Sequence, residues 1–166
     1  MDTTRRRFLA TAGLATVGAL AGCTGGSREA ALTLDTLAVG SLDGGPLRVQ
    51  PTDRPVLLDF FATWCAPCKP QMSDLAEIRS RYGPDRLHML SITWERDAEV
   101  VRAFWEEYGG TWPTALDPDV QTGEHYGVSN LPTLLVFTAD GEEVWRHVGL
   151  ASLQAIDDAV RRAGVA

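Results

Sequence analysis

LLDFFATWCAPCKPQ, residues 57–71, joins an apolar run to two cysteines three positions apart, and its reading decides the fold. The run from Val56 to Phe61 holds one carboxylate, Asp59, and otherwise reads as a strand buried on both faces at the centre of a sheet. From residue 66 to 82 the pattern changes to helical spacing, with Met72, Leu75, Ala76 and Tyr82 recurring on one side. Pro67 falls in the first turn, where its missing N–H has no partner to lose, and Pro70 is expected to start or bend the helix. Cys65 is therefore expected at the helix N-terminus, where unpaired N–H groups and the macrodipole favour a negative sulfur. Cys68, about one turn on, is near enough to close a disulfide with it, which makes Cys65 the candidate nucleophile and Cys68 the candidate resolving thiol.

Two other uses of the pair carry less. A zinc half-site needs two further ligands, and His88, His125 and His147 are scattered singly without paired metal-ligand spacing. A purely structural bridge would close so short a loop that the unfolded chain loses little entropy. The reading assigns no metal and no organic cofactor.

Outward from the motif, residues 31–49 alternate in short apolar steps around Asp43-Gly44-Gly45, predicting a β-hairpin before the main sheet. RLHMLSIT, 86–93, is a second central strand, parallel to the first through a right-handed βαβ crossover. Asp97 is a cap for an amphipathic helix that stops at Gly109-Gly110, and Asp117-Pro118 opens a short helix running to Tyr126. TLLVFTADGEEVWRHVG predicts an antiparallel hairpin over 133–148 about Asp140-Gly141, and 152–163 reads as the closing helix. The order is N-terminal hairpin, βα, βα, short helix, ββα, one α/β domain over 31–166. Phe60, Phe61, Phe104, Trp105 and Trp145 are expected to pack rather than bind; Trp94 and Trp112 receive no assignment.

The first residues read as an address. Arg5, Arg6 and Arg7 precede an apolar stretch from Phe8 to Ala21 that is short and rich in Gly and Ala, the pattern of an export signal over 1–22. TRRRFL, residues 4–9, resembles a twin-arginine signal, and Leu20-Ala21-Gly22-Cys23 resembles a lipobox. On that resemblance Cys23 is a lipid anchor and 23–30 a flexible tether, which places the protein on the outer face of the cytoplasmic membrane. Cleavage elsewhere, with Cys23 discarded, also explains the odd third cysteine.

The formal charge is −7, and the basic signal conceals part of it, which argues against nucleic acid or an anionic lipid surface as partner. Lys69 is the only lysine; every other basic side chain is arginine. An acidic, lysine-poor surface is similar to that of proteins adapted to high salt, as in a halophilic archaeon, while a GC-rich genome favouring arginine codons gives the same composition.

DFFATWCAPCK, residues 59–69, resembles the thioredoxin active site. Together with YGVSNLPTLLVF, residues 126–137, it is similar to the membrane-tethered TlpA and ResA proteins over residues 31–166. The resemblance implies a thioredoxin fold: a central mixed β-sheet flanked by helices, with the N-terminal hairpin and an inserted segment between its βαβ and ββα parts. It implies a thiol–disulfide oxidoreductase acting on protein dithiol or disulfide clients and recharged by a membrane electron-transfer thiol partner. Reduction of clients, for example in cytochrome c maturation, is the implied direction; disulfide formation or isomerisation is the second reading, and a tethered peptide-binding module the third. It also implies a cis peptide bond at Leu131-Pro132, substrate contacts at Trp64, Pro67, Leu131, Pro132 and Thr133, and a buried Asp59 that takes the Cys68 proton. Two positions depart from TlpA and ResA proteins, which often carry glutamate where this chain has Gln71 and a neutral residue where it has Asp59.

Overall fold

The computed structural model describes residues 31–165. Within them lie β1 (Thr33–Thr36), β2 (Gly45–Arg48), β3 (Val56–Phe61), α1 (Cys68–Arg81), β4 (His88–Thr93), α2 (Ala98–Glu107), β5 (Thr114–Leu116), α3 (Gln121–Tyr126), β6 (Thr133–Phe137), β7 (Glu143–Val148) and α4 (Leu153–Arg162). The strands form one mixed sheet in the order β2-β1-β5-β4-β3-β6-β7. The expected export signal, lipobox and tether lie outside the described residues.

The six residues of β3 are all buried, as its apolar run requires of a strand with neighbours on both edges and layers on both faces. It runs parallel to β4 and antiparallel to β6. Because side chains alternate across a sheet, Val56, Leu58 and Phe60 face one layer while Leu57, Asp59 and Phe61 face the other. The first layer joins Leu34, Leu90, Ile92, Ala115, Leu135 and Phe137, with Tyr126 of α3 packed against it. The second joins the apolar sides of α1, α2 and α4 and contains both cysteines. Asp59 thus lies on the same face of the sheet as α1.

Three differences from the sequence reading have local causes. The N-terminal hairpin is antiparallel as expected, but its strands are joined through residues 37–44, with a bridge between Val39 and Leu42, rather than by a turn at Asp43-Gly44-Gly45. Gly44 and Gly45 both adopt positive φ and return the chain into β2. The segment after α2 contains β5, a strand of three residues with no readable alternation, which pairs parallel with β4 and antiparallel with β1. Helix α1 begins at Cys68 rather than at 66, with Pro67 as its N-cap.

The cap expected at Asp97 is present, Ser152 caps α4 rather than beginning it, and α3 starts at Gln121 behind Val120 rather than at Asp117-Pro118. Asp97 accepts the N–H groups of Glu99 and Val100 at the start of α2, and Ser152 accepts that of Ala155 at the start of α4. Asp117 reaches over Val120 to accept the N–H groups of Gln121 and Thr122, holding α3 in place. Trp105 and Trp112 are fully buried with ring centroids 5.0 Å apart, and the Trp105 indole N–H donates to the Trp112 carbonyl at 3.1 Å. Such an aromatic pair contributes about 0.5–1.5 kcal/mol beyond its buried area, and here it fixes the loop that leads into β5.

Candidate active site

Past the end of β3 the chain makes two successive turns. Cys65 N–H donates to Ala62 O at 3.1 Å and Cys68 N–H donates to Cys65 O at 3.2 Å. The second turn brings the Cys65 and Cys68 Cα atoms to 5.3 Å, and a disulfide joins them. Both residues are buried, while Trp64, Ala66, Pro67 and Lys69 around them are exposed. The buried sulfurs are approached across that exposed rim.

Cys65 therefore lies two residues before the helix cap rather than in the first turn. The shift follows from the prolines: Pro67 and Pro70 supply no N–H, and that of Cys68 is committed to Cys65 O, so Lys69 alone retains a first-turn N–H between 67 and 70. The positive end of the α1 dipole still faces the turn that carries Cys65.

Asp59 is 3% exposed. The parallel register of β3 and β4 sets Ser91 beside it, and Ser91 Oγ donates to Asp59 Oδ2 at 2.7 Å. Ser91 Oγ in turn accepts from the Trp112 indole N–H at 2.9 Å. Asp59 Oδ1 is buried without a hydrogen-bond partner. Burial raises the carboxyl pKa to about 7 against the lowering effect of the Ser91 bond. A carboxyl group in this state can hold or release a proton near neutral pH, and its free oxygen is the atom available for that exchange.

The Leu131–Pro132 peptide bond is cis. Leu131 is half-buried against the core layer that contains the cysteines, and Pro132 O accepts the Gly149 N–H at 2.8 Å, so this loop is tied to the end of β7. Thr133 is buried and its hydroxyl donates to Asn130 O at 2.7 Å. Trp64 is 73% exposed, and with Leu131 it lines one cleft at the C-terminal ends of β3 and β4. The structure therefore brings Cys65, Cys68, Trp64 and Leu131 to one end of the sheet and sets Asp59 below them on the α1 face. Cys23 lies outside the described residues.

Gln71 is buried, and its side chain both donates to Ala151 O at 3.2 Å and accepts from Ala151 N–H at 2.8 Å. A neutral amide fits this two-way contact because it carries a donor and an acceptor; a carboxylate has only acceptors. Position 71 clamps α1 to the segment before α4.

Ser91, Trp112 and Glu95 were absent from the sequence-based set. Glu95 accepts from Thr63 N–H at 2.8 Å, from Thr63 Oγ1 at 2.7 Å and from Thr93 Oγ1 at 3.1 Å, fixing the residue before Trp64. Ser91 carried one signal, a small polar residue inside the buried run of β4; the partners of Trp112 and Glu95 lie across strands and leave no local trace. Among the described residues no group of three or more His, Cys, Asp or Glu side chains is placed to hold a metal ion, and no helix is long and apolar enough to cross a membrane.

Comparison with known proteins agrees with this geometry. The chain is 26% identical over 107 residues to thiol-disulfide oxidoreductase ResA of Bacillus thuringiensis (strain Al Hakam), covering 64% of this chain and 62% of that protein. It is 29% identical over 103 residues to ResA of Bacillus subtilis (strain 168), covering 62% and 58%. The matched stretch thus spans about three fifths of the length of these relatives. The crystal structure of a putative thiol:disulfide interchange protein DsbE from Chlorobium tepidum superposes with a TM-score of 0.68 at 23% identity, over 80% of this chain and 94% of that one, which establishes the thioredoxin-like fold. The Redoxin family profile matches residues 36–160, a span that includes the cysteine pair, Asp59 and the Pro132 loop, and the chain belongs to that family.

Proposed function

We propose that the protein is a membrane-anchored, extracytoplasmic thiol–disulfide oxidoreductase that reduces disulfides in protein clients. The observation that carries the reading is the Cys65–Cys68 disulfide at the junction of β3 and α1, buried beneath an exposed rim, with a buried carboxyl group of pKa about 7 on the α1 face of β3.

The reaction starts from the reduced dithiol. The Cys65 thiolate attacks one sulfur of a client disulfide, forming the Cys65–client bond as the client S–S bond breaks, and the released client thiolate takes a proton. Cys68 then gives its proton to Asp59 and attacks the Cys65 sulfur, restoring the Cys65–Cys68 disulfide and releasing the second client thiolate. Two electrons pass to the client, and a membrane dithiol donor returns them to the cysteine pair. Trp64, Pro67 and Leu131 offer the docking surface, the buried Pro132 and Thr133 shape the loop behind it, and an extended client segment lies along that loop in the manner of strand addition.

Clients at a cell surface include apocytochromes, whose cysteines must be reduced for haem attachment, and the resemblance to ResA and TlpA proteins favours this role. Attachment through lipid on Cys23 and export by the twin-arginine route complete the proposal. Reduction of insulin by the wild-type protein and by Cys65→Ser, each supplied with dithiothreitol, tests it. Loss of turnover in the variant is expected; equal turnover removes the enzyme reading.

A further inference from the structure

Beside the disulfide, a cleft of about 130 Å³ opens between the ends of β3 and β4 and the loop that precedes β6. Trp64 and Trp94 contribute indole surface to it, Leu131 contributes an aliphatic side chain, and Thr93 and Glu95 line it as well. It has room for one side chain. Gly123 lets α3 pack against Trp94: a Cβ at that position would lie 3.0 Å from the Trp94 ring, so this indole is held in place from behind.

Glu95 supplies the only charge in the lining. Its carboxylate oxygens are positioned by Thr63 and Thr93, and among the described residues no Lys, Arg or His forms an ion pair with it. Hydroxyl and amide donors orient a carboxylate without cancelling its charge. Aromatic faces together with an unpaired carboxylate form the combination that recognises a cationic side chain, through cation–π attraction and direct charge pairing. The aliphatic stem of lysine or arginine would meanwhile pack on Leu131.

We propose that this cleft is a specificity subsite that takes a lysine or arginine side chain of the client lying beside the client's reactive cysteine. The proposal rests on the thiol–disulfide reading above and adds a substrate class to it. Trp64 adjoins Cys65 and Leu131 adjoins Pro132, so a client chain along this loop passes the cleft as its sulfur meets Cys65. The same arrangement disfavours clients with an acidic residue at that position.

The test uses four disulfide-bridged peptides that differ only in the residue before one cysteine: lysine, acetyl-lysine, methionine or glutamate. Their reduction by the full chain recharged with dithiothreitol, less the rate without protein, is followed at physiological ionic strength, where the chain's overall field is largely screened. The lysine peptide is expected to exceed the acetyl-lysine and methionine peptides in kcat/KM by roughly tenfold, and the glutamate peptide to be slowest. In Glu95→Gln the lysine-to-acetyl-lysine ratio should fall to near one, whatever the change in absolute rate. Equal rates for all four peptides with wild type, or a ratio unchanged in Glu95→Gln, overturns the subsite while leaving the oxidoreductase reading intact. Reduction of none of the peptides overturns both.

Discussion

At Asp59 burial and one hydrogen bond act in opposite directions on the carboxyl group, and burial wins, leaving its pKa at about 7 against an ordinary 3.8. Between about pH 4 and pH 7 the unfolded chain has released a proton that the folded chain still holds. Stability is therefore lost as pH rises through that window and changes little from this group on either side of it. Asp59→Asn has no such proton, so the variant should gain on wild type by a few kcal/mol between pH 4 and pH 8, measured by urea denaturation of the oxidised proteins. The same substitution removes the proposed acceptor for the Cys68 proton and should lengthen the life of the Cys65–client mixed disulfide by roughly 100-fold or more, as quenched-flow sampling would show. Ser91 donates the one bond that lowers this pKa. Ser91→Ala should accordingly move the upper end of the pH window to higher pH, and an unshifted end point would show that Ser91 does not influence the carboxyl group. Asp59 was legible from its place in an apolar strand together with the resemblance to the thioredoxin active site. Ser91 and Trp112 were not, because the contacts that join them to Asp59 depend on strand register and loop packing.

Helix α1 begins at Cys68, the second cysteine of the motif, and carries a clamp three residues on, at Gln71. Gln71 meets both the N–H and the C=O of Ala151. Gln71→Glu keeps the size but sets a carboxylate oxygen against the Ala151 carbonyl, so the variant should lose about 1–3 kcal/mol, with a larger loss at pH 8, where the carboxyl ionises, than at pH 4. Denaturation at the two pH values checks this, and an equal loss at both would place the cost elsewhere. Elements with long periodic patterns were readable: β3, β4, α2, the β6–β7 hairpin and α4 all stand close to where hydrophobic spacing puts them. The misses are short or depend on backbone detail. β5 is defined by its neighbours rather than by its own three residues, and the start of α1 is displaced by a turn that Cys65 and Cys68 close between themselves.

Over the whole molecule, the βαβ and ββα parts meet so that both cysteines, the Pro132 loop and the Trp94–Glu95 segment gather at one end of the sheet, although 67 positions separate Cys65 from Pro132. The motif spacing made the cysteines readable from the sequence, whereas the cleft formed with Trp94 and Glu95 required the assembled sheet. The proposed anchor makes a prediction at this scale: Cys23→Ser, expressed in the native cell, should move the protein from the membrane fraction to the soluble exported fraction without loss of insulin reduction by the purified chain. A variant that remained in the membrane would remove Cys23 from that role. The exchange chemistry itself is tested most directly by trapping. Reduced Cys68→Ser, incubated with a disulfide-bridged client peptide and analysed by mass spectrometry under non-reducing conditions, should accumulate a one-to-one covalent adduct through Cys65 that dithiothreitol releases. No adduct, or an adduct that persists in Cys65→Ser, would contradict the account.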